Sequence, residues 1–271
     1  MTTHKSPPAP PTLARSNANR RRNRPKTVGG RAWALVRELL IVVIGAVVVS
    51  SLLRAFVGQM FIIPSQSMEN TLLVGDRVVV EKLTTFKRGD VVVFSDPGGW
   101  LEQDPADPGP WDRAFEFIGL PTKSTPGHLI KRVIGMPGDR VVCCNSKGRI
   151  TVNGYPLNET SYLYTDSDDA QVNPSDVKFD VVVPKARIFV MGDHRDLSAD
   201  SRCHLSDLST SQGTGQVAFV PMSLVVGPAF AIAAPFDRAG RLRRPATFDK
   251  VPDAQEPAPA RGTIKPAGVN C

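Results

Sequence analysis

His128-Leu129-Ile130-Lys131-Arg132-Val133-Ile134-Gly135-Met136-Pro137-Gly138-Asp139 begins as an apolar, β-branched run and ends in turn residues. A short run of this kind, closed by Gly and Pro, predicts a strand. Its ending recurs along the chain. Gly75-Asp76-Arg77-Val78, Gly89-Asp90-Val91-Val92 and Gly138-Asp139-Arg140-Val141 each place Gly-Asp before a β-branched segment. Gly supplies an unusual φ and Asp bonds the local backbone, so these read as scaffold turns. Further strands are expected at 77–81, 90–94, 180–183, 187–191 and 224–226. Ile150-Thr151-Val152, followed by Asn153-Gly154 and Tyr155, predicts a hairpin with a type I′ turn. The expected fold class is mainly β: an all-β domain with inserted loops and few helices, preceded by a single N-terminal transmembrane helix.

The helix is read from Leu39-Leu40-Ile41-Val42-Val43-Ile44-Gly45-Ala46-Val47-Val48-Val49-Ser50-Ser51-Leu52-Leu53, enclosed by Arg37 and Arg54. As a helix this segment rises roughly 25 Å, near the hydrocarbon thickness of a bilayer. Trp33, Arg37 and Arg54 are placed to sit at the interfaces. A cleavable leader would want a shorter apolar core and a small-x-small site, which Ser50-Ser51-Leu52 matches poorly.

The net charge of +7 suggests a nucleic-acid partner until its distribution is examined. Lys5, Arg15, Arg20, Arg21, Arg22, Arg24, Lys26 and Arg31 all precede the apolar segment without an acidic residue among them. That asymmetry is the mark of a cytoplasmic tail, so no nucleic acid is expected. The organisation expected is a basic disordered tail over 1–32, a membrane anchor over 33–57 and a β-rich domain over 58–236. Irregular insertions are expected near 95–127 and 157–178. Residues 237–271, rich in Pro, Ala and Arg, are expected to be a disordered tail.

Cys143, Cys144, Cys203 and Cys271 fit an oxidising exterior and form no zinc signature. A bridge from Cys143 or Cys144 to Cys203 and free buried thiols are both open, whereas a vicinal Cys143–Cys144 bridge would be strained.

Pro64-Ser65-Gln66-Ser67-Met68-Glu69-Asn70-Thr71-Leu72 begins about ten residues after the apolar segment. A serine there becomes a nucleophile only with a partner to remove its proton. Three kinds of partner are present. His128, His194 and His204 have no sequence link to Ser67, and no Gly-x-Ser-x-Gly elbow occurs. Ser175-Asp176-Val177-Lys178 fits Ser-x-x-Lys literally, but in a polar loop without a companion Lys-Thr-Gly. Lys131 is the third. An exposed lysine is neutral in only about one molecule in a few thousand at pH 7, but burial lowers its pKa by up to roughly 3–5 units. In a strand Lys131 shares a face with Leu129 and Val133, and Arg132 with Ile130 and Ile134. Periodicity does not say which face is buried, but a guanidinium deprotonates in neither place.

These stretches together resemble type I signal peptidases, membrane serine proteases that cut signal peptides from exported proteins. Pro64–Met68 resembles the nucleophile box. Ile130–Asp139 resembles the box with the general-base lysine, and Met191–Arg202 the final box. Gly75-Asp76 and Arg88–Phe94 match the intervening strand box. The resemblance implies Ser67 as nucleophile, Lys131 as base, and an oxyanion site from the Ser67 N–H and the Ser65 hydroxyl. It implies that Ser198 bonds and orients the lysine, with Asp200 and Arg202 as a supporting ion pair.

By the same resemblance, substrate lies beside Phe61-Ile62-Ile63-Pro64, with Phe61, Ile63, Met68, Leu72, Leu129 and Ile130 lining shallow pockets for small side chains. Core packing is the competing reading for each of the six. No cofactor and no metal are expected. The partners implied are signal-peptide-bearing preproteins, the lipid bilayer and the secretion machinery, at a bacterial plasma membrane with the N-terminus cytoplasmic and the catalytic domain outside. The chain departs from the family pattern at Asn70, His194, Leu197 and Pro228. A membrane-tethered binding domain without catalysis is the competing class, disfavoured by the joint presence of Ser67, Lys131, Ser198 and Asp200.

Overall fold

A computed structural model of the chain describes residues 28–56, 58–101, 127–211 and 213–265. The basic tail up to residue 27, most of the 95–127 insertion and Cys271 lie outside the described residues. Helix α1 spans Val28–Phe56, several residues longer at its start than the expected anchor. Within it Ala32–Ser50 has a mean hydropathy of 2.3 and none of the window is buried by protein. A helix of this length and composition is long and apolar enough to cross a membrane.

The β-rich part contains two antiparallel sheets. The larger has β1 (Gly58–Ile62), β2 (Arg77–Glu81), β3 (Val91–Ser95), β4 (His128–Gly135), β9 (Arg187–Met191), β10 (Val220–Pro221), β11 (Val225–Ala234) and β12 (Gly240–Arg241). Their order is β1-β2-β11-β3-β4-β9-β10, with β12 paired to β11. The smaller contains β5 (Arg140–Cys143), β6 (Thr151–Val152), β7 (Tyr155–Pro156), β8 (Phe179–Val182) and β13 (Thr263–Lys265), in the order β13-β8-β5-β6-β7.

The turns follow from their residues. Asn153 and Gly154 have φ of 50° and 81° and join β6 to β7 with Val152 opposite Tyr155, as a type I′ turn requires. The three Gly-Asp turns share one geometry. Gly75, Gly89 and Gly138 lie at φ of 91°, 86° and 90°. In each, the Asp carboxylate accepts the backbone N–H three residues earlier, at 2.7–2.8 Å.

β3 and β4 are central, and apolar side chains cover both faces. Val91, Val93 and Ile130 join a cluster with Phe61, Ile63, Met68, Leu72 and Val78. Val92, Phe94 and Val133 join another with Trp100, Ile188 and Val220. Such doubly covered strands read as unbroken hydrophobic runs rather than as alternations. Consequently β4 is buried continuously from Ile130 to Gly135, and its two adjacent cations, Lys131 and Arg132, lie at 4% and 2% exposure.

Two expectations need correction. Residues 237–265 are not a disordered tail: β12 pairs with β11, β13 pairs with β8, and Phe248 and Val251 are buried. Gln216 and Gly262 exchange two hydrogen bonds of 2.9 Å, and Arg238 forms a bidentate ion pair with Asp76. The mean composition of this segment hides its few widely spaced anchors. The 157–178 stretch carries no strand or helix and packs on the domain through buried Leu157, Tyr162, Leu163 and Val177. Finally, Cys143 is bridged to Cys144, which excludes a bridge from either to Cys203.

Candidate active site

Ser67 sits in a single 3-10 turn, Gln66–Met68, directly after β1. The turn is planted from both sides. Ile63 N–H donates to Asp76 O and Gly75 N–H to Ile63 O, each at 2.9 Å, while Met68 and Leu72 drive fully buried side chains into the core. These anchors leave the Ser67 side chain facing β4, where Val92 opposite Lys131 fixes the register.

The Lys131 ammonium donates to Ser67 Oγ at 2.6 Å, and Ser67 is only 4% exposed. Burial pushes the Lys131 pKa down to about 8, against the attraction of Asp200 and Asp193, with the Arg202 charge adding to the lowering. At pH 7 about a tenth of such lysines are neutral, some two hundred times the fraction for an exposed one. A neutral amine at this distance can accept the serine proton. Ser65 Oγ lies 3.3 Å from Ser67 Oγ on exposed, extended backbone.

Asp200 is the centre of the third segment. Its carboxylate accepts from the Gly192 N–H at 2.9 Å, Ser198 Oγ at 2.8 Å and the Arg202 guanidinium at 2.9 Å. Burial works against its charge, but Arg202, the Gly192 amide and the Ser198 hydroxyl together hold its pKa below the usual carboxylate value. The Ser198 hydroxyl is therefore directed to Asp200, and the lysine to Ser67, rather than to each other. An ionised carboxylate is the stronger acceptor for a hydroxyl proton. Gly192 allows the close approach: a Cβ there would lie 2.2 Å from Ser198 Oγ and 2.5 Å from the Ser67 carbonyl oxygen.

Sequence reasoning missed the buried ionic network beside this site. Arg132 Nε and Nη2 donate to the two Asp193 oxygens at 2.8 and 2.5 Å, and Nη1 to Gly89 O at 2.7 Å. Its guanidinium carbon lies 4.4 Å from the Tyr162 ring centroid. Thr71, four residues beyond the nucleophile, donates to the same Asp193. Arg195 Nε donates to Gly192 O and its Nη2 to Glu159, which also accepts the Tyr162 hydroxyl. Burial opposes both guanidinium charges, but Asp193 for Arg132 and Glu159 for Arg195 hold their pKa values above normal. The available signal was a second cation beside Lys131 in an apolar strand, which requires a buried acid.

Of the expected substrate-lining residues, Phe61, Ile63, Met68, Leu72 and Ile130 are packed in one core cluster, Leu129 is half-buried and Pro64 is exposed. The histidines engage other groups. His194 pairs with Glu69 and stacks on Tyr164, His204 pairs with Asp207 and stacks on Trp100, and His128 lies against Phe61. The Ser175 hydroxyl donates to Val177 O at 2.9 Å. Among the described residues no group of three or more His, Cys, Asp or Glu is placed to hold a metal ion.

Residues 36–234 match the family described as "Signal peptidase, peptidase S26". The chain is 36% identical over 232 residues to "Signal peptidase I" of Mycobacterium tuberculosis (strain ATCC 25618 / H37Rv), covering 77% of this chain and 76% of the relative. It is 32% identical over 210 residues to "Signal peptidase I" of Leptolyngbya laminosa, covering 76% and 83%. With "Signal peptidase I P" of Bacillus subtilis subsp. natto the identity is 30% over 187 residues, covering 66% and 85%. A mainly β domain with one N-terminal apolar helix, a serine against a buried lysine, and these matches agree: the chain belongs to the signal peptidase family, peptidase S26.

Proposed function

We propose that this protein is a membrane-bound serine endopeptidase that removes signal peptides from exported preproteins after small-x-small sites. The observation that supports it is the 2.6 Å contact between Lys131 Nζ and Ser67 Oγ in a site that drives the lysine pKa down to about 8. Neutral Lys131 takes the Ser67 proton as Oγ bonds to the scissile carbonyl carbon. The Ser67 N–H and the Ser65 hydroxyl hold the oxyanion. Lys131 then protonates the leaving amine as the C–N bond breaks, and water releases the acyl group with the lysine again as base.

Ser198, Asp200 and Arg202 act as support. Their paired, hydrogen-bonded groups keep the lysine surroundings fixed and leave the ammonium without a direct carboxylate partner, so the attraction of Asp200 and Asp193 offsets only part of the burial that lowers its pKa. Phe61, Ile63, Met68, Leu72 and Ile130 form a tightly packed floor under the substrate, while Leu129 packs against the separate cluster of Val92 and Val133. A floor already filled by its own side chains leaves room only for small substrate side chains, the basis proposed for specificity. The helix anchors the enzyme, with the basic N-terminus cytoplasmic and the catalytic domain outside a bacterial plasma membrane, close to the secretion machinery.

The test is cleavage of a preprotein carrying a small-x-small site by the detergent-solubilised full chain. Wild type is expected to cut at that site, and Ser67→Ala and Lys131→Ala to lose cleavage. Equal cleavage by Lys131→Ala, or a folded wild type that never cuts, would contradict the proposal.

A further inference from the structure

Two residues close to Ser67, Asn70 and His194, meet the same loop. Residues 159–172 fold back on themselves. Val172 N–H donates to Tyr164 O at 3.0 Å, Thr165 bridges Gln171, and Gln171 Nε2 donates to Thr160 O at 3.1 Å and Leu163 O at 3.2 Å. From this closed loop Leu163 O accepts Asn70 Nδ2 at 3.0 Å. The Tyr164 ring stacks on the His194 imidazole, with centroids 3.8 Å apart and planes 16° from parallel. Tyr164 N–H also donates to Asp193 O at 3.1 Å.

Both contacts bear on the nucleophile. His194 donates its backbone N–H to the Ser67 carbonyl at 3.1 Å, and its Nδ1 lies 3.2 Å from Glu69 Oε2. Asn70 lies at φ 78°, a conformation closed to proline, whose ring holds φ near −65°. Ser67 belongs to one turn of 3-10 helix, whereas Lys131 is fixed in the middle of a sheet. A misplacement of about 1 Å between two such groups costs on the order of 100-fold in rate. The turn therefore needs support of its own.

We propose that the 159–172 loop is a positioning element for Ser67, acting through Tyr164 on His194 and through Leu163 O on Asn70. This deepens the Ser67–Lys131 reading and rests on it. The loop touches neither reacting atom. It holds the turn at Ser67 O, Glu69 and Asn70, and two departures from the family pattern are contacts of this one loop.

The test uses the full chain in detergent micelles, with Michaelis parameters on the preprotein for wild type, Tyr164→Ala, Tyr164→Phe, Asn70→Gly, the Asn70→Gly/Tyr164→Ala pair and Ser67→Ala. Glycine accepts the positive φ at residue 70, so Asn70→Gly removes the side-chain amide without backbone strain. Tyr164→Ala is expected to lower kcat roughly 10- to 100-fold with KM within about twofold, the signature of lost positioning rather than lost binding. Tyr164→Phe keeps the stacked ring and is expected to restore kcat to within about twofold of wild type. The double variant is expected to lose less than the product of the single losses, because both act on one element. Hydrogen exchange of the 66–72 segment is expected to quicken in both single variants while β3 and β4 stay protected.

Wild-type kcat in Tyr164→Ala, or an equal loss in Tyr164→Phe, would overturn the proposal, as would exchange rising across the sheets instead of the turn. If Ser67→Ala cleaves like wild type, the Ser67 reading itself has failed. If Ser67→Ala is dead and Tyr164→Ala is as fast as wild type, only the loop proposal falls.

Discussion

Replacing Lys131 with methionine should make the protein inactive and, at neutral pH, more stable. The side chain is 4% exposed and its pKa falls from 10.5 to about 8 because burial disfavours the charge. That shift corresponds to a folded-state penalty of about 3 kcal/mol when the lysine is protonated in both states. Methionine fills a similar volume without charge. It forfeits the hydrogen bond to Ser67, a loss of about 1 kcal/mol, so a net gain of about 2 kcal/mol is expected at pH 7. The folded state holds this proton less tightly than the unfolded chain. Between pH 8 and 10.5 the unfolded chain therefore binds more protons, and wild-type stability rises with pH through that window. Below pH 8 the whole penalty is present. The advantage of Lys131→Met should thus shrink above pH 8 and reverse near pH 10.5, approaching about 1 kcal/mol at still higher pH. Guanidinium unfolding of both full-length proteins in micelles, followed through buried Trp100, measures it. A variant less stable than wild type at pH 7, or a difference that ignores pH, would refute the reasoning.

Gly192→Ala should cut kcat by on the order of 100-fold, since its Cβ would displace both Ser198 Oγ and the Ser67 carbonyl; steady-state kinetics check this, and wild-type turnover would contradict it. Asp200→Asn leaves the Arg202 guanidinium buried without a full counter-charge and should cost about 3–5 kcal/mol at pH 7. The Asp200 pKa is depressed, so its contribution is present above the usual 3.8 and is lost as pH falls through the lower folded value. Melting curves of Asp200→Asn and wild type should therefore converge in strong acid. Phe248→Ala should cost about 3–5 kcal/mol and loosen the segment beyond β12, which limited proteolysis would report as earlier cleavage between residues 240 and 265.

The local grammar of the fold was open to reading. Strand runs, Gly-Asp turns and the Asn153-Gly154 hairpin depend on φ preferences and neighbours a few residues away, and β2, β3, β4, β8 and β9 fall where β-branched runs placed them. Lys131 was paired with Ser67 through the resemblance, since periodicity left open which face of its strand is buried. What Arg132 does was not legible. Whether the second face of a strand is covered depends on residues distant in sequence that pack over it, here Phe61, Met68 and Leu72 in one cluster and Trp100, Ile188 and Val220 in the other. The 237–265 segment was misread for a related reason. Phe248 owes its burial to the space above Gly89, and Ile264 its partial burial to a place beside β8, neither visible in a composition dominated by Pro, Ala and Arg. Ser198 shows a finer limit: its residue type was anticipated, but its hydroxyl turns to Asp200 because the carboxylate competes for the proton.

The central claim is that Lys131, neutralised by burial, is the base for Ser67. The dependence of kcat/KM on pH for full-length wild type cleaving a preprotein tests it most directly, because that profile reports the free enzyme. Activity should rise with pH along a limb centred at about 8, the value to which burial brings Lys131. A limb centred between 6 and 7, in the range of an ordinary histidine, or a profile flat from pH 6 to 9, would contradict it.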